Sequence, residues 1–238
     1  MPQQLHEILP ALDNPIWHAL DGRHRSLAAR AGRTAWYPST VAPFIAVSSS
    51  RIVPELRAAL AGVFQPPAYF VGTIPETLPE GWHFSARSAI LQMMLTGVAV
   101  PEIETEDIRE LQIGDRPQML ELAHAAFPDY FRERTAELGL YLGIFSGERL
   151  VAMAGERFAV DGWQEISGVC THPEFSGRGY ARRLTLALMI RHRQRGVASF
   201  LHVSESNAVA RRLYESMRFE ARVSLPLAKL ERTEKTPS

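Results

Sequence analysis

The most constraining stretch of this 238-residue chain begins at Glu165, where the run EISGVCTHP meets a glycine-bearing turn, FSGRGYA, and then a long segment of helical periodicity. A strand, a turn with two glycines and a long helix in that order point to a sheet with the turn at a strand's carboxyl end and the helix packed back onto it. In the helix, Leu184, Ala187, Leu188 and Met189 supply an apolar stripe. Arg191, His192, Arg193 and Arg195 make a basic last turn, and Gly196 fits as the stop. The first N–H groups of such a helix have no intrahelical acceptor and sit at the positive end of its dipole. Gly177 and Gly179 lack a Cβ, so the backbone can take positive φ there, and a pyrophosphate can approach the N–H groups from Gly177 to Ala181. The turn therefore reads as a phosphate cradle, with a purely structural turn as the bland alternative.

Spacing excludes two familiar phosphate motifs, because neither G-x-x-x-x-G-K-[ST] nor G-x-G-x-x-G occurs around Gly177. The segment resembles instead the Q/R-x-x-G-x-G/A signature of the GNAT acyltransferase superfamily, filled here by Ser176, Gly179 and Ala181. Ser176 departs from the pattern, standing where Gln or Arg is usual. Downstream, the strand-like SFLHV (Ser199 to Val203) leads into SESNAVARRLYESMRF, which resembles the family's second motif. The resemblance runs from roughly Ile108 to Leu230. It implies an α/β fold in the α+β sense: the GNAT acyl-CoA N-acyltransferase fold, a mixed central sheet flanked by helices. It also implies acetyl-CoA as cosubstrate, no metal, and transfer of the acetyl group to a primary amine by direct attack in a ternary complex.

That chemistry needs a neutral amine, donors for the thioester oxygen as charge develops, and a proton for the departing thiolate. Glu165 is the leading candidate for the base. A glutamate at the matching position is the general base in histone-type members of the superfamily, and strand alternation puts Glu165 on the side of Ser167, Val169 and Thr171. Glu156, on the preceding strand, is the alternative base or a partner for a cationic acceptor, and solvent is the third option. By resemblance Tyr214 is the general acid; read from the residues alone it is a packed aromatic beside Leu213 and Phe219. Asn207 is placed to cap the helix that follows it and, by resemblance, to meet pantetheine. Backbone groups of Val169 and Thr171 are expected to bond pantetheine as an added strand would, with the Val169 N–H aimed at the thioester oxygen. Gly177, Arg178, Gly179, Tyr180 and Ala181 complete the expected cofactor site, Arg178 adding charge or remaining solvated. His172 and His202 have no Asp or Cys beside them in sequence and read as hydrogen-bonded structural residues. Cys170, alternating with Ile166 and Gly168, reads as a buried hydrophobe. Arg218 stands where the family usually has glycine after the helix, so a strained left-handed residue or a different helix end is expected there.

The 26 basic and 26 acidic side chains cancel, which argues against a general nucleic-acid or anionic-membrane partner. A single cysteine excludes an intramolecular disulfide framework and a Cys-rich zinc site. With no run of about twenty apolar residues and no signal-like start, a cytoplasmic location is expected. The segment TGVAVPEIETED suggests a boundary near residue 104, dividing an N-terminal α/β unit (1–104), a degenerate GNAT-like lid or structural cap, from the acetyltransferase domain (105–238). In the first unit VAPFIAVS and AYFVGTI read as strands, and RIVPELRAALAGVF and SARSAILQMML as helices. In the second, IRELQI, LYLGIF and RLVAMAGERFAV read as strands and PQMLELAHAAF as a helix. A non-catalytic acyl-CoA sensor or interaction protein is the competing function, and it would need neither Glu165 nor Tyr214. Nothing in the N-terminal half selects the amine, small-molecule or peptide, and homodimers are frequent in the superfamily.

Overall fold

A computed structural model describes residues 10–51, 53–62, 67–97, 105–126 and 130–233. The first part of the chain gives α1 (Pro10–Asp13), α2 (Pro15–Asp21), β1 (Ala29–Ala31), β2 (Thr34–Trp36), β3 (Ile45–Val47), α3 (Val53–Gly62), β4 (Ala68–Val71) and β5 (Trp82–Leu95). The rest gives β6 (Ile108–Glu110), α4 (Arg116–Ala126), β7 (Tyr141–Ser146), β8 (Arg149–Val160), β9 (Trp163–Thr171), α5 (Tyr180–Gln194), β10 (Ala198–Ser204), α6 (Ala208–Glu215) and β11 (Phe219–Arg232). The boundary expected near residue 104 lies outside the described residues.

The central sheet runs β4-β11-β5-β10-β9-β8-β7-β6, and β1 to β3 form a small antiparallel sheet of their own. All neighbours in the large sheet are antiparallel except β9 and β10, which are parallel and joined by α5. The crossover follows from the sequence: parallel neighbours need a connection long enough to hold a helix. β8 and β9, by contrast, form a hairpin whose turn is Asp161-Gly162, with Val160 opposite Trp163 and Gly162 at φ 74°.

Side chains alternate across this sheet to build a core on each face. Ala152, Ala154 and Ile166 pack with Leu184, Leu188 and Met189 of α5, together with Tyr214 and Phe219. Met153 and Cys170 pack with Met119 and Leu122 of α4 on the opposite side. Farther along, Phe158 and Phe200 meet Ile16 and Leu20 of α2. Leu184, Ala187, Leu188 and Met189 are all buried, as the stripe in the sequence requires.

Two expectations are corrected. SARSAILQMML is not a helix but the second half and middle of β5, which pairs with β10 through Ile90 to Met94 and with β11 along its length. Its Ala, Leu, Met and Gln are helix formers, yet a central strand position overrides propensity. The alternation expected for Glu165 and Val169 also fails. β9 carries a bulge, in which Gly155 is opposite Ser167 but Met153 is opposite Cys170, with Gly168 at φ 62°. One extra residue reverses the facing of everything beyond it. Ile166 and Val169 therefore share the α5 face, whereas Cys170 turns to α4 and Glu165 faces away from α5.

Candidate active site

The cradle has the backbone its glycines suggested. After β9, His172 caps a short 3₁₀ turn, Pro173–Phe175, its Nδ1 accepting from the Glu174 N–H at 3.3 Å. Gly177 and Gly179 then take φ 77° and 76°, and Gly179 is the N-cap of α5. A Cβ on either glycine would meet nothing within 4 Å, so both face open space. Among the described residues no backbone carbonyl accepts from the N–H groups of Gly177 through Arg182. Tyr180 anchors the turn against the α5 core, and the Arg178 guanidinium lies 4.8 Å over the Phe175 ring.

Beside the cradle the sheet opens. Parallel pairing of β9 with β10 runs from Trp163/Ala198 to Ile166/Leu201 and stops, although the strands continue to Thr171 and Ser204. β9 stays paired with β8 as far as Thr171 on its other edge, so its groups from Ser167 onward present an unpaired edge toward the gap. A cavity of about 520 Å³ fills this gap. Ser167, Gly168 and Val169 form one wall, His202, Val203 and Ser204 the other, and Asn207, Ala210 and Tyr214 of α6 reach in from the side. Phe44, Tyr130, Phe131, Tyr141 and Arg157 line it as well.

Burial pushes the Tyr214 phenol up to about 12, so it stays protonated at neutral pH. It lies on the α5 face beside Phe219, at 6.0 Å between ring centroids, and also borders the cavity, so packing and access coexist. Asn207 caps α6 through its side-chain oxygen, which accepts from the Ala210 N–H at 3.0 Å. Arg218 is the one non-glycine with positive φ among the described residues, at 71°.

The two carboxylates are placed differently from the residues expected to bind the cofactor, and neither lines the cavity. Glu165 is fully buried. It accepts from Arg157 through Nε at 2.9 Å and Nη2 at 2.6 Å, from the Phe158 N–H at 3.2 Å, and pairs with His202 Nδ1 at 2.7 Å. Burial alone would raise its pKa, but the Arg157 charge and the hydrogen bonds outweigh it and hold the carboxyl at about 2. Glu156 is equally buried, bonded to His192 Nε2 at 3.2 Å, the Leu140 N–H at 3.2 Å and Arg195. There too burial is outweighed, chiefly by the His192 and Arg195 hydrogen bonds, and the pKa falls.

The Glu165 cluster continues across the sheet, into β10, β5 and β11. Gln92 donates through Nε2 to Leu12 O at 2.9 Å and sits 3.1 Å from His202 Nε2, and its Oε1 accepts from Arg222 Nη1 at 2.8 Å. Arg222 reaches on to Asp13 at 2.6 Å. These partners fix the amide orientation, and Gln92 then donates to His202 Nε2. That leaves the Nδ1–H of His202 facing Glu165. The sequence reading missed that pairing, and missed Arg157 altogether. The Asp161-Gly162 hairpin offered part of the signal: regular pairing about that turn sets Phe158 opposite Glu165, and a register shift in β8 between Glu156 and Ala159 brings Arg157 onto the carboxylate as well.

Residues 141–225 match the family model described as FR47-like protein. The chain is 34% identical to a candidate GNAT acetyltransferase from Novosphingobium aromaticivorans, over 94% of this chain and 99% of that one, with a TM-score of 0.84. A GCN5-related N-acetyltransferase from Kribbella flavida shares the fold at 17% identity, over 89% of this chain and 92% of that one, with a TM-score of 0.57. No curated protein matches the chain. Among the described residues no helix is long and apolar enough to cross a membrane. With the glycine turn, the splayed parallel strands and a relative matched over nearly its whole length, the chain belongs to the GNAT family of acetyltransferases.

Proposed function

We propose that the protein transfers the acetyl group of acetyl-CoA to a primary amine by direct attack within a ternary complex. The observation that carries this reading is the continuity of three features: unpaired N–H groups at the cradle, an unpaired strand edge in the gap between β9 and β10, and a tyrosine hydroxyl at the same cavity. The N–H groups of Gly177 to Ala181 suit a pyrophosphate, and open space beside Gly177 and Gly179 leaves room for it. Arg178 adds positive charge at that turn. The edge at Val169 and Thr171 suits an amide-bearing arm, and the Asn207 amide N–H groups remain for its carbonyl while the oxygen caps α6. The bulge at Gly168 turns Val169 toward the α5 side, where its N–H is the donor assigned to the thioester oxygen.

In the reaction the amine nitrogen bonds to the acyl carbon, the C–S bond breaks, and Tyr214 gives its proton to the departing thiolate. Glu165 receives a different role from the one its sequence position suggested. A fully buried carboxylate held near 2 has too little proton affinity to take a proton from an ammonium, so Glu165 is assigned as a positioning residue for Arg157 and His202. The amine then loses its proton to solvent. Calorimetric titration with acetyl-CoA, followed by free-thiol release across an amine panel, tests the reading. Failure to bind acetyl-CoA would refute it.

A further inference from the structure

Arg157 lines the cavity, and Glu165 uses only part of its guanidinium. A guanidinium carries five N–H donors. Glu165 takes the Nε–H and one Nη2–H, and the bonds of the described residues leave Nη1 unassigned. The side chain is 16% exposed and borders the cavity, whereas Glu165 behind it is fully buried. Aromatic rings fix the guanidinium, with Phe158 at 4.7 Å and Phe44 at 5.1 Å from its central carbon. Such a group is pre-organised: its position is set by Glu165 and two rings before any ligand arrives, so little side-chain freedom remains to be lost.

The cavity lining also carries several aromatic rings. Phe44 stacks with Tyr130 at 6.0 Å between centroids, and Phe131 meets Tyr141 edge-on at 5.7 Å. Among the described residues no carboxylate lines the wall, so a cationic side chain on the acceptor would find no partner there.

We infer that the acceptor is an α-amino acid with an apolar or aromatic side chain, its carboxylate bound by the open edge of Arg157 and its side chain lodged against Phe44, Tyr130 and Phe131. The inference rests on the acyl-transfer reading for the fate of the amine. The amino group, released from its proton by water, bonds to the acyl carbon as the C–S bond breaks, and the product is an N-acetyl amino acid plus coenzyme A.

The experiment compares, on the wild-type protein with acetyl-CoA, phenylalanine, tryptophan and leucine with their amides and their decarboxylated amines, read as free thiol. The expected result is a kcat/KM about 10- to 100-fold higher for the amino acids, the range of a charge-assisted hydrogen-bond pair. Equal or better use of the amides or amines would overturn the inference and leave the acyl-transfer reading intact. If no acceptor releases thiol, calorimetric titration of the protein with phenylalanine and with 2-phenylethylamine decides: preference for the amino acid supports the carboxylate site, and no preference overturns it. Arg157→Lys keeps a cation beside Glu165 but loses the fork. Where it folds, it should lose the preference for amino acid over amine. Where it does not fold, the wild-type comparison decides alone.

Discussion

Replacing Glu165 with Gln separates a structural anion from a catalytic base. In the folded protein the carboxyl is held at about 2 against an ordinary 4.5, a difference worth about 3 kcal/mol of pH-dependent stability. A depressed carboxyl contributes fully above its unfolded pKa, and the contribution is lost as pH falls from about 4.5 toward 2. Glu165→Gln also leaves the Arg157 charge without its counter-ion, a loss of about 3–5 kcal/mol for a buried pair. Urea unfolding at a series of pH values should therefore show the variant less stable by about 3 kcal/mol or more at pH 7. The gap to wild type should narrow steadily below pH 4.5, as the wild-type carboxyl protonates. A gap that is absent, or unchanged from pH 7 to pH 3, would refute the assignment of Glu165 as a paired anion. Kinetics supply the second arm. A positioning role raises the acceptor KM and leaves the pH profile of kcat in place. A general base would instead cost about 10²- to 10⁴-fold in kcat and remove the acidic limb.

Tyr214→Phe should lower kcat while leaving acetyl-CoA affinity nearly intact by calorimetry, and equal turnover would remove Tyr214 as the acid. With the phenol at about 12, wild-type activity should show no loss attributable to Tyr214 up to pH 10. Gly179→Glu puts a side chain at φ 76° and a negative charge among the cradle N–H groups, so acetyl-CoA binding should disappear in the same titration. His24, buried against the Tyr37 hydroxyl, is lowered to about 4, chiefly by desolvation. A histidine lowered in the folded state contributes stability above its ordinary 6.5 that is lost as pH falls toward 4, so His24→Asn should flatten the pH dependence of unfolding in that window.

What the sequence revealed, and what it hid, divides along lines of sequence distance. The strands RLVAMAGERFAV and SFLHV, the helix α5 and the turn between Gly177 and Gly179 are local patterns, and the fold reproduces them. β5 escaped because its last residues are buried between two strands and residues near Ser88 are exposed, so the alternation seen from Trp82 to Ser85 does not continue through the segment read as a helix. The bulge at Gly168 escaped because one glycine in an apolar run has several readings, and only the register against β8 shows which side chains it reverses. The surroundings of Glu165 were legible only in part. The two-residue turn alone sets Phe158 against Glu165, and only the register shift in β8 adds Arg157; Gln92 comes from a strand read as a helix, and no spacing links it to His202, 110 residues away.

The polar chain from Glu165 through His202, Gln92 and Arg222 to Asp13 joins positions as far apart as 209 residues. Contacts of that separation close large loops, and they form late and slowly. β11 must therefore leave the ribosome before His202, in the cavity wall, is braced. Until then Glu165 and Arg157 have each other, but His202 has no Gln92–Arg222 brace behind it. Residues from α1 and β11 thus brace His202 between them, and a nascent chain acquires that brace only after β11 has been made.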